Sequence, residues 1–333
     1  MDWSLAELED IGPRDFPTDH LSWLKACEQA SPGRCLVLRH GDVFLPLCLR
    51  KRLGLTVLEG LGQDFRSIAG PIGGNGSTMA AIDRPDLPMT VDLVDFRRFP
   101  KELASLVFPS SKSRLERFDI MHFGKALGNT EHDFMMSLSK SVRDELRYTM
   151  NKATKKIGSS NIRYETISID ADNWCDTWNM AEEITKYSWQ GKSGLSVLQD
   201  KDKERFLKNV MMNGMPIIFH FCYLEDNMAA VSINIKHADT LVMHVHEYNG
   251  KYAKFRPGYL LNHKVIMSAI SDGASWLDFG VGDTPHKRML RCEGKELWRV
   301  LVPLTWKGRL AAGYQKLRWR AGQAVPSKRT CGK

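Results

Sequence analysis

Residues 216–290 read PIIFHFCYLEDNMAAVSINIKHADTLVMHVHEYNGKYAKFRPGYLLNHKVIMSAISDGASWLDFGVGDTPHKRML, and the fold turns on how this stretch is parsed. Three apolar runs of strand length, 217–223, 228–235 and 241–248, are separated by Glu225-Asp226-Asn227 and by Asp239-Thr240, which is turn chemistry. Alternation in the third run puts His244, His246 and Tyr248 on one face and Leu241, Met243, Val245 and Glu247 on the other. Arg256-Pro257-Gly258 then opens a segment in which Leu261, Val265, Ile266, Ala269 and Ile270 recur with helical spacing, up to a capping Gly273. A strand at 276–279 runs into Asp278-Phe279-Gly280-Val281-Gly282-Asp283, and Thr284-Pro285 has the N-cap and first-turn chemistry of another helix. A loop that hands a glycine to a helix start leaves backbone N–H groups without intrahelical partners, where the helix dipole also favours negative charge. The 256–258 turn is therefore expected to hold an anion such as phosphate.

Working outward, the strongest helix signal lies upstream at 131–157, predicted as one continuous helix ended by Gly158. Leu138, Val142, Leu146 and Met150 form its apolar stripe, with Lys140, Arg143 and Arg147 in a line beside it. That line could grip a phosphate-bearing acceptor. Lys152, Lys155 and Lys156 at the end suit the helix dipole without further function. A strand is expected at 161–169, helices at 172–189 and 203–212, and a loop at 189–194 carrying Trp189. In the N-terminal part the pattern predicts a helix at 20–30 and strands at 35–38, 43–49, 55–61 and 117–123, with a short helix at 99–106. The glycine-rich run 71–77 lacks the Lys-Ser/Thr ending of a nucleotide-binding loop and reads as an ordinary loop. Residues 36–59 and 221–244 share a strand–turn–strand–turn–strand rhythm with negligible identity, the mark of a duplicated unit or of chance.

Bulk properties narrow the class. A chain of 333 residues with 43% hydrophobic side chains can bury one large or two medium cores. Cysteines at 27, 35, 48, 175, 222, 292 and 331 are odd in number and form no C-x-x-C pair, which fits reduced thiols in a cytoplasmic protein and argues against structural zinc. His244-x-His246 lacks an evident third ligand, so no metal is expected. The acidic, amphipathic start is no signal peptide, and no apolar run of about 18 residues suggests a membrane span. The net charge of +8 equals the eight Lys/Arg of residues 307–333, which contain no acid. This segment reads as a solvated basic tail, with 321–333 flexible. Without a recognition helix or metal finger it does not imply DNA binding.

The order of these features resembles the GNAT acyltransferase superfamily. The likeness is to its CelD-like, cellulose-biosynthesis-type branch, related to the FemAB peptidoglycan aminoacyl transferases. It rests on the strand hairpin, on Tyr252-Ala253-Lys254-Phe255-Arg256-Pro257-Gly258-Tyr259-Leu260-Leu261, on the Asp278–Asp283 run and on Lys287. The N-terminal half adds Phe16-Pro17 through Trp23, Leu45-Pro46-Leu47, the 58–62 run and the arginines at 143 and 147, in the expected order. The resemblance implies an α/β (α+β) protein of two tandem GNAT-like domains, each a mixed, largely antiparallel sheet flanked by helices. The domains would be 1–130 and 131–320, with 321–333 as the tail.

It further implies an acyl-CoA donor, acetyl-CoA foremost, bound by Lys254, Phe255, Arg256, Gly258 and Tyr259. The usual Gln/Arg-x-x-Gly-x-Gly/Ala pattern is reduced here to one glycine, and Pro257 donates no N–H. His246 is the first choice of general base, with His244 and Asp278 behind it, and Tyr248 could protonate the leaving thiolate. Arg143, Arg147, Trp189 and Lys287 are the expected acceptor-side residues. The acceptor would be an amine or hydroxyl of a sugar, polysaccharide precursor or small molecule. Two other readings stand beside this one: an aminoacyl transferase using charged tRNA, and a non-catalytic GNAT-fold component of a polysaccharide system.

Overall fold

The computed structural model describes residues 3–12, 16–73, 80–82, 87, 90–109 and 113–324. Most of the glycine-rich run and all of the tail past residue 324 lie outside the described residues. The chain divides into two compact units, one of Met1–Asp10, Ser31–Ile120 and Glu296–Lys333, the other of Ile11–Ala30 and Met121–Lys295.

The strands in chain order are β1 (Ser4–Ala6), β2 (Arg34–His40), β3 (Val43–Arg52), β4 (Leu55–Gly60), β5 (Leu93–Pro100), β6 (Leu115–Ala126), β7 (Ile162–Ser168), β8 (Ile217–Leu224), β9 (Asn227–His237), β10 (Thr240–Tyr248), β11 (Trp276–Val281) and β12 (Glu293–Pro303). The helices are α1 (Leu21–Ala30), α2 (Lys101–Ala104), α3 (Glu131–Ser137), α4 (Lys140–Ile157), α5 (Trp174–Glu182), α6 (Trp189–Lys192), α7 (Lys201–Met212), α8 (Pro257–Ser271), α9 (Pro285–Met289) and α10 (Trp306–Ala324).

In the first unit β1 to β4 pair antiparallel in sequence, β4 pairs β5 in parallel, and β5 pairs β12 antiparallel. Leu38, Leu45, Leu58, Val94, Phe96, Val300 and Val302 meet in its core. Arg299 on β12 clamps Asp95 on β5 with two bonds of 2.7 and 2.6 Å, the fork geometry that suits a guanidinium and a carboxylate. Helix α10 follows β12 after a turn in which the Thr305 hydroxyl donates to Asp92 (2.6 Å). Gly308 packs so tightly there that a Cβ would lie 1.9 Å from the Asp92 carbonyl oxygen.

The second unit repeats the same series. Strands β7 to β10 pair antiparallel in sequence, β10 pairs β11 in parallel, and β11 pairs residues 122–126 of β6 antiparallel. The rhythm shared by 36–59 and 221–244 is thus the repeated meander β2-β3-β4 and β8-β9-β10. Segment 11–30 belongs to this unit through α1: Ser22 donates to the Asn213 carbonyl (2.6 Å), and Trp23 meets Phe206 edge-on at 5.2 Å. Helix α8 supplies Leu261, Val265, Ile266 and Ala269 to a core with Cys222, Ala230, Leu241 and Leu277. Each unit is a mixed, largely antiparallel sheet flanked by helices, as expected.

Several local expectations change. The helix predicted over 131–157 is two helices, because the Ser139 hydroxyl accepts from the Val142 N–H and starts α4 afresh, while Thr130 caps α3. Its stripe is buried through Leu138, Val142 and Leu146, whereas Met150 is exposed. Periodicity missed β5, which precedes α2. The loop at 189–194 contains the one-turn α6, capped by Ser188. The basic segment read as a solvated tail is helical from residue 306 to 324, since Gly308, Ala311, Ala312, Gln315 and Trp319 give it a packed side.

A candidate active site between β10 and β11

The second unit contains a cavity of about 680 Å³ whose walls come from β10, the segment around α6, the start of α8, and α9. Its origin lies in the sheet. β10 is registered with β11 only over Thr240–Val242 against Trp276–Asp278, and its ladder to β9 is interrupted between Met243 and Val245. A bulge of this kind turns a strand away from its neighbour. Past Val242 the two parallel strands part, and α8, which links them, begins at the mouth of the gap. Met243, His244, His246 and Tyr248 all face the cavity.

The turn into α8 opens onto it. Arg256 adopts a left-handed backbone (φ 50°), and its guanidinium pairs with Glu145 of α4; both residues line the cavity. Gly258 is needed for space: a Cβ there would come within 2.6 Å of His246 Nε2. The Tyr259 and Leu260 N–H groups already donate to the Arg256 carbonyl (2.9 and 3.2 Å), and Pro257 has none. Among the described backbone bonds the Gly258 N–H is left unused.

Four buried side-chain atoms on the lining residues have no partner among the described residues: His246 Nδ1, Tyr259 Oη, Asn262 Oδ1 and Gln190 Oε1. Buried polar atoms are nearly always hydrogen-bonded, so such a convergence marks where a polar ligand would sit. Burial, and then neighbouring His286, push His246 down to about 3. Burial, then Lys287, push His286 down to about 4. Both rings are therefore neutral at neutral pH, and Asn262 Nδ2 donates to His286 Nε2 (2.9 Å). Burial raises the Tyr259 phenol to about 12, so it stays protonated. Lys287, only 7% exposed, donates to the Gly280 (3.2 Å) and Val281 (2.9 Å) carbonyls; burial is the main reason it is lowered to about 8.

The expected residues divide. His244, His246, Tyr248, Arg256, Gly258, Tyr259, Trp189 and Lys287 line this cavity. Asp278 does not: it is fully buried in β11, where Oδ1 accepts from His122 Nε2 (2.8 Å) and from the Gly280 N–H, and Oδ2 has no partner among the described residues. Phe255 is in the core, and Lys254 lies over its ring (4.9 Å) rather than in the cavity. Arg143 donates to the Leu138 carbonyl (2.7 Å) and so closes the end of α3. Arg147 pairs with Asp144 (3.5 Å) and borders a separate hollow with His132 and His263. The sequence reading missed Glu145, Gln190, Asn262 and His286. Only His286 had a local signal, its place directly after Thr284-Pro285.

Glu247 points away from the cavity yet shapes it. Buried at 2% exposure, it accepts from Ser188 (2.6 Å) and from Ser196, while Gln190 Nε2 donates to the His246 carbonyl (3.1 Å). Segment 188–196 is thereby pinned to β10, with Trp189 and Gln190 at the cavity.

Comparison with known proteins agrees with this geometry. Residues 140–288, just under half the chain, match the family model described as an acetyltransferase (GNAT) domain. No curated protein matches the sequence. Among solved structures the fold is similar to that of FemX (TM-score 0.58, 8% identity, 90% of this chain and 97% of that one). It is likewise similar to a conserved protein of unknown function from Bacteroides thetaiotaomicron (TM-score 0.57, 10% identity, 90% and 99%). A third is the C-terminal domain of a putative lysylphosphatidylglycerol synthetase from Agrobacterium fabrum (TM-score 0.54, 8% identity, 91% and 92%). At these identities the likeness is one of fold. The matched residues lie in α4 to α9, so the part of the second unit that resembles a GNAT domain is also the part in which β10 and β11 separate and the cavity opens.

Proposed function

We propose that the chain is a cytoplasmic acyltransferase. It would take an acetyl group from acetyl-CoA and place it on an amine of a small molecule, sugar or polysaccharide precursor, with a hydroxyl as the other acceptor class. The observation that carries this reading is the parting of β10 from β11 beside an unplugged helix start, with unpartnered polar atoms converging on the space between. The bound thioester would supply the electrophilic carbonyl.

The chain's own residues would do the rest. Gly258 leaves room and one free N–H at the α8 start, and Arg256 can exchange Glu145 for a diphosphate. Trp189 and Gln190 would wall the acceptor side. His246, neutral and with Nδ1 unpartnered, would accept the proton released as the new bond forms. Its low basicity suits a proton leaving an ammonium-like adduct better than one leaving a resting hydroxyl, which favours amine acceptors. Tyr248 or the protonated Tyr259 would return a proton to the departing thiolate.

Incubation with acetyl-CoA and a panel of amines and amino sugars, followed by chromatography, should show acceptor-dependent release of free CoA, lost in His246→Ala. One feature favours the second reading, transfer from charged tRNA: the α8 start offers a single spare N–H and a carboxylate, Glu145, close to where a diphosphate would lie. Acceptor-dependent deacylation of charged tRNA with no CoA release would establish that reading instead.

A further inference from the structure

The outward face of α10 is unusually apolar. Trp306, Leu310, Tyr314 and Leu317 are 66%, 67%, 61% and 64% exposed. At ~100° per residue they fall within about 80° of one another, on the side opposite Gly308, Ala312 and Trp319, which face the protein. Exposed Arg309 and Lys316 flank this ridge on one shoulder, and Lys307 and Arg318 on the other. Residues 307–333 contain no acid. No described residue covers the ridge.

We propose that α10 is an interfacial helix that lays this face on the surface of an anionic phospholipid bilayer. An apolar ridge bordered on both sides by cations, with an indole at one end and a phenol near the middle, matches the layering of a membrane surface. Acyl chains lie deepest, aromatic rings sit at the headgroup level, and anionic headgroups meet the cations. No described helix is long and apolar enough to cross a membrane, so α10 would lie on the surface rather than span it. A second copy of the chain fits less well: a two-fold contact through this face would set the same cations against themselves with no acid on the helix to offset them. Nucleic acid fits less well too, because Leu310 and Leu317 lead the face and the cations border it, with Arg318 lying over the Tyr314 ring (6.0 Å).

Flotation of the full chain with phosphatidylcholine vesicles, alone or with roughly one-third phosphatidylglycerol, tests this. The chain should float with the anionic vesicles, not with the neutral ones, and the association should weaken as salt rises. Leu310→Glu with Leu317→Glu should cut partitioning by about tenfold or more, and so should Lys316→Glu with Arg318→Glu. All four sites are exposed, so circular dichroism and CoA release with a soluble acceptor should be unchanged. The proposal is overturned by failure to float, by equal binding to neutral vesicles, or by variants that bind as well as the parent. It is also overturned if light scattering shows a dimer that the leucine variants dissociate, or if those variants lose RNA binding in a chain that ignores vesicles.

Discussion

Gly258 is the residue on which the site depends most. A Cβ on it would lie only 2.6 Å from His246 Nε2. Gly258→Val should therefore displace the imidazole and fill the α8 mouth, abolishing acetyl-CoA binding by calorimetry. The melting temperature should stay within a few degrees, since the backbone here is ordinary helix. Unchanged affinity would contradict the site.

The paired imidazoles make a second prediction at this scale. With His246 held at about 3 and His286 at about 4, the folded chain refuses protons that the unfolded chain accepts below its ordinary histidine value. That stability is fully present above pH ~6.5 and drains away as pH falls toward the folded values, up to about 2 kcal/mol per ring at about pH 5. Urea unfolding near neutrality and near pH 5 should show a smaller acid loss in His246→Gln than in the parent; parallel losses would refute the assignment. The alternating face of β10 made His244, His246 and Tyr248 legible beforehand. Glu145, Gln190, Asn262 and His286 come from four other segments, and no local pattern says that they meet. Asp278 looked available because sequence does not record that β11 is fully buried there, with His122 and Gly280 both bonded to one oxygen of its carboxylate.

At the scale of elements, β10 does two things at once. Its cavity face presents the imidazoles, and its other face anchors the 188–196 segment through Glu247. Glu247→Ala should leave the Ser188 and Ser196 hydroxyls without an acceptor, costing about 2–3 kcal/mol in denaturant unfolding. It should also raise the acceptor KM more than it lowers kcat, because the wall carrying Trp189 and Gln190 loosens while the chemistry is untouched. A kcat loss at constant KM would assign Glu247 a direct role instead. Strong periodicity gave α7, α8 and the β8-β9-β10 meander correctly. It failed where a short polar cap overrides a long pattern, as Ser139 does between α3 and α4. It failed again where a basic helix hides a small-residue packing side, as in α10.

At the scale of the whole molecule, the two units share one series of strand pairings although their sequences hold little in common. The expected α/β organisation was readable because strand–turn rhythm survives when identity does not. The membership of 11–30 and 296–333 was not, since it depends on contacts such as Trp23 with Phe206 and Arg299 with Asp95 across long sequence separations. The positive charge of the chain bears on the donor question. A small thioester would meet one turn of backbone and one arginine, whereas a charged tRNA would engage many cations and respond steeply to salt. Titration calorimetry of acetyl-CoA into the full chain is the most direct measurement. The account predicts one site per chain with micromolar affinity that falls only modestly as salt rises; no detectable heat with acetyl-CoA, together with salt-sensitive binding of charged tRNA, would contradict it.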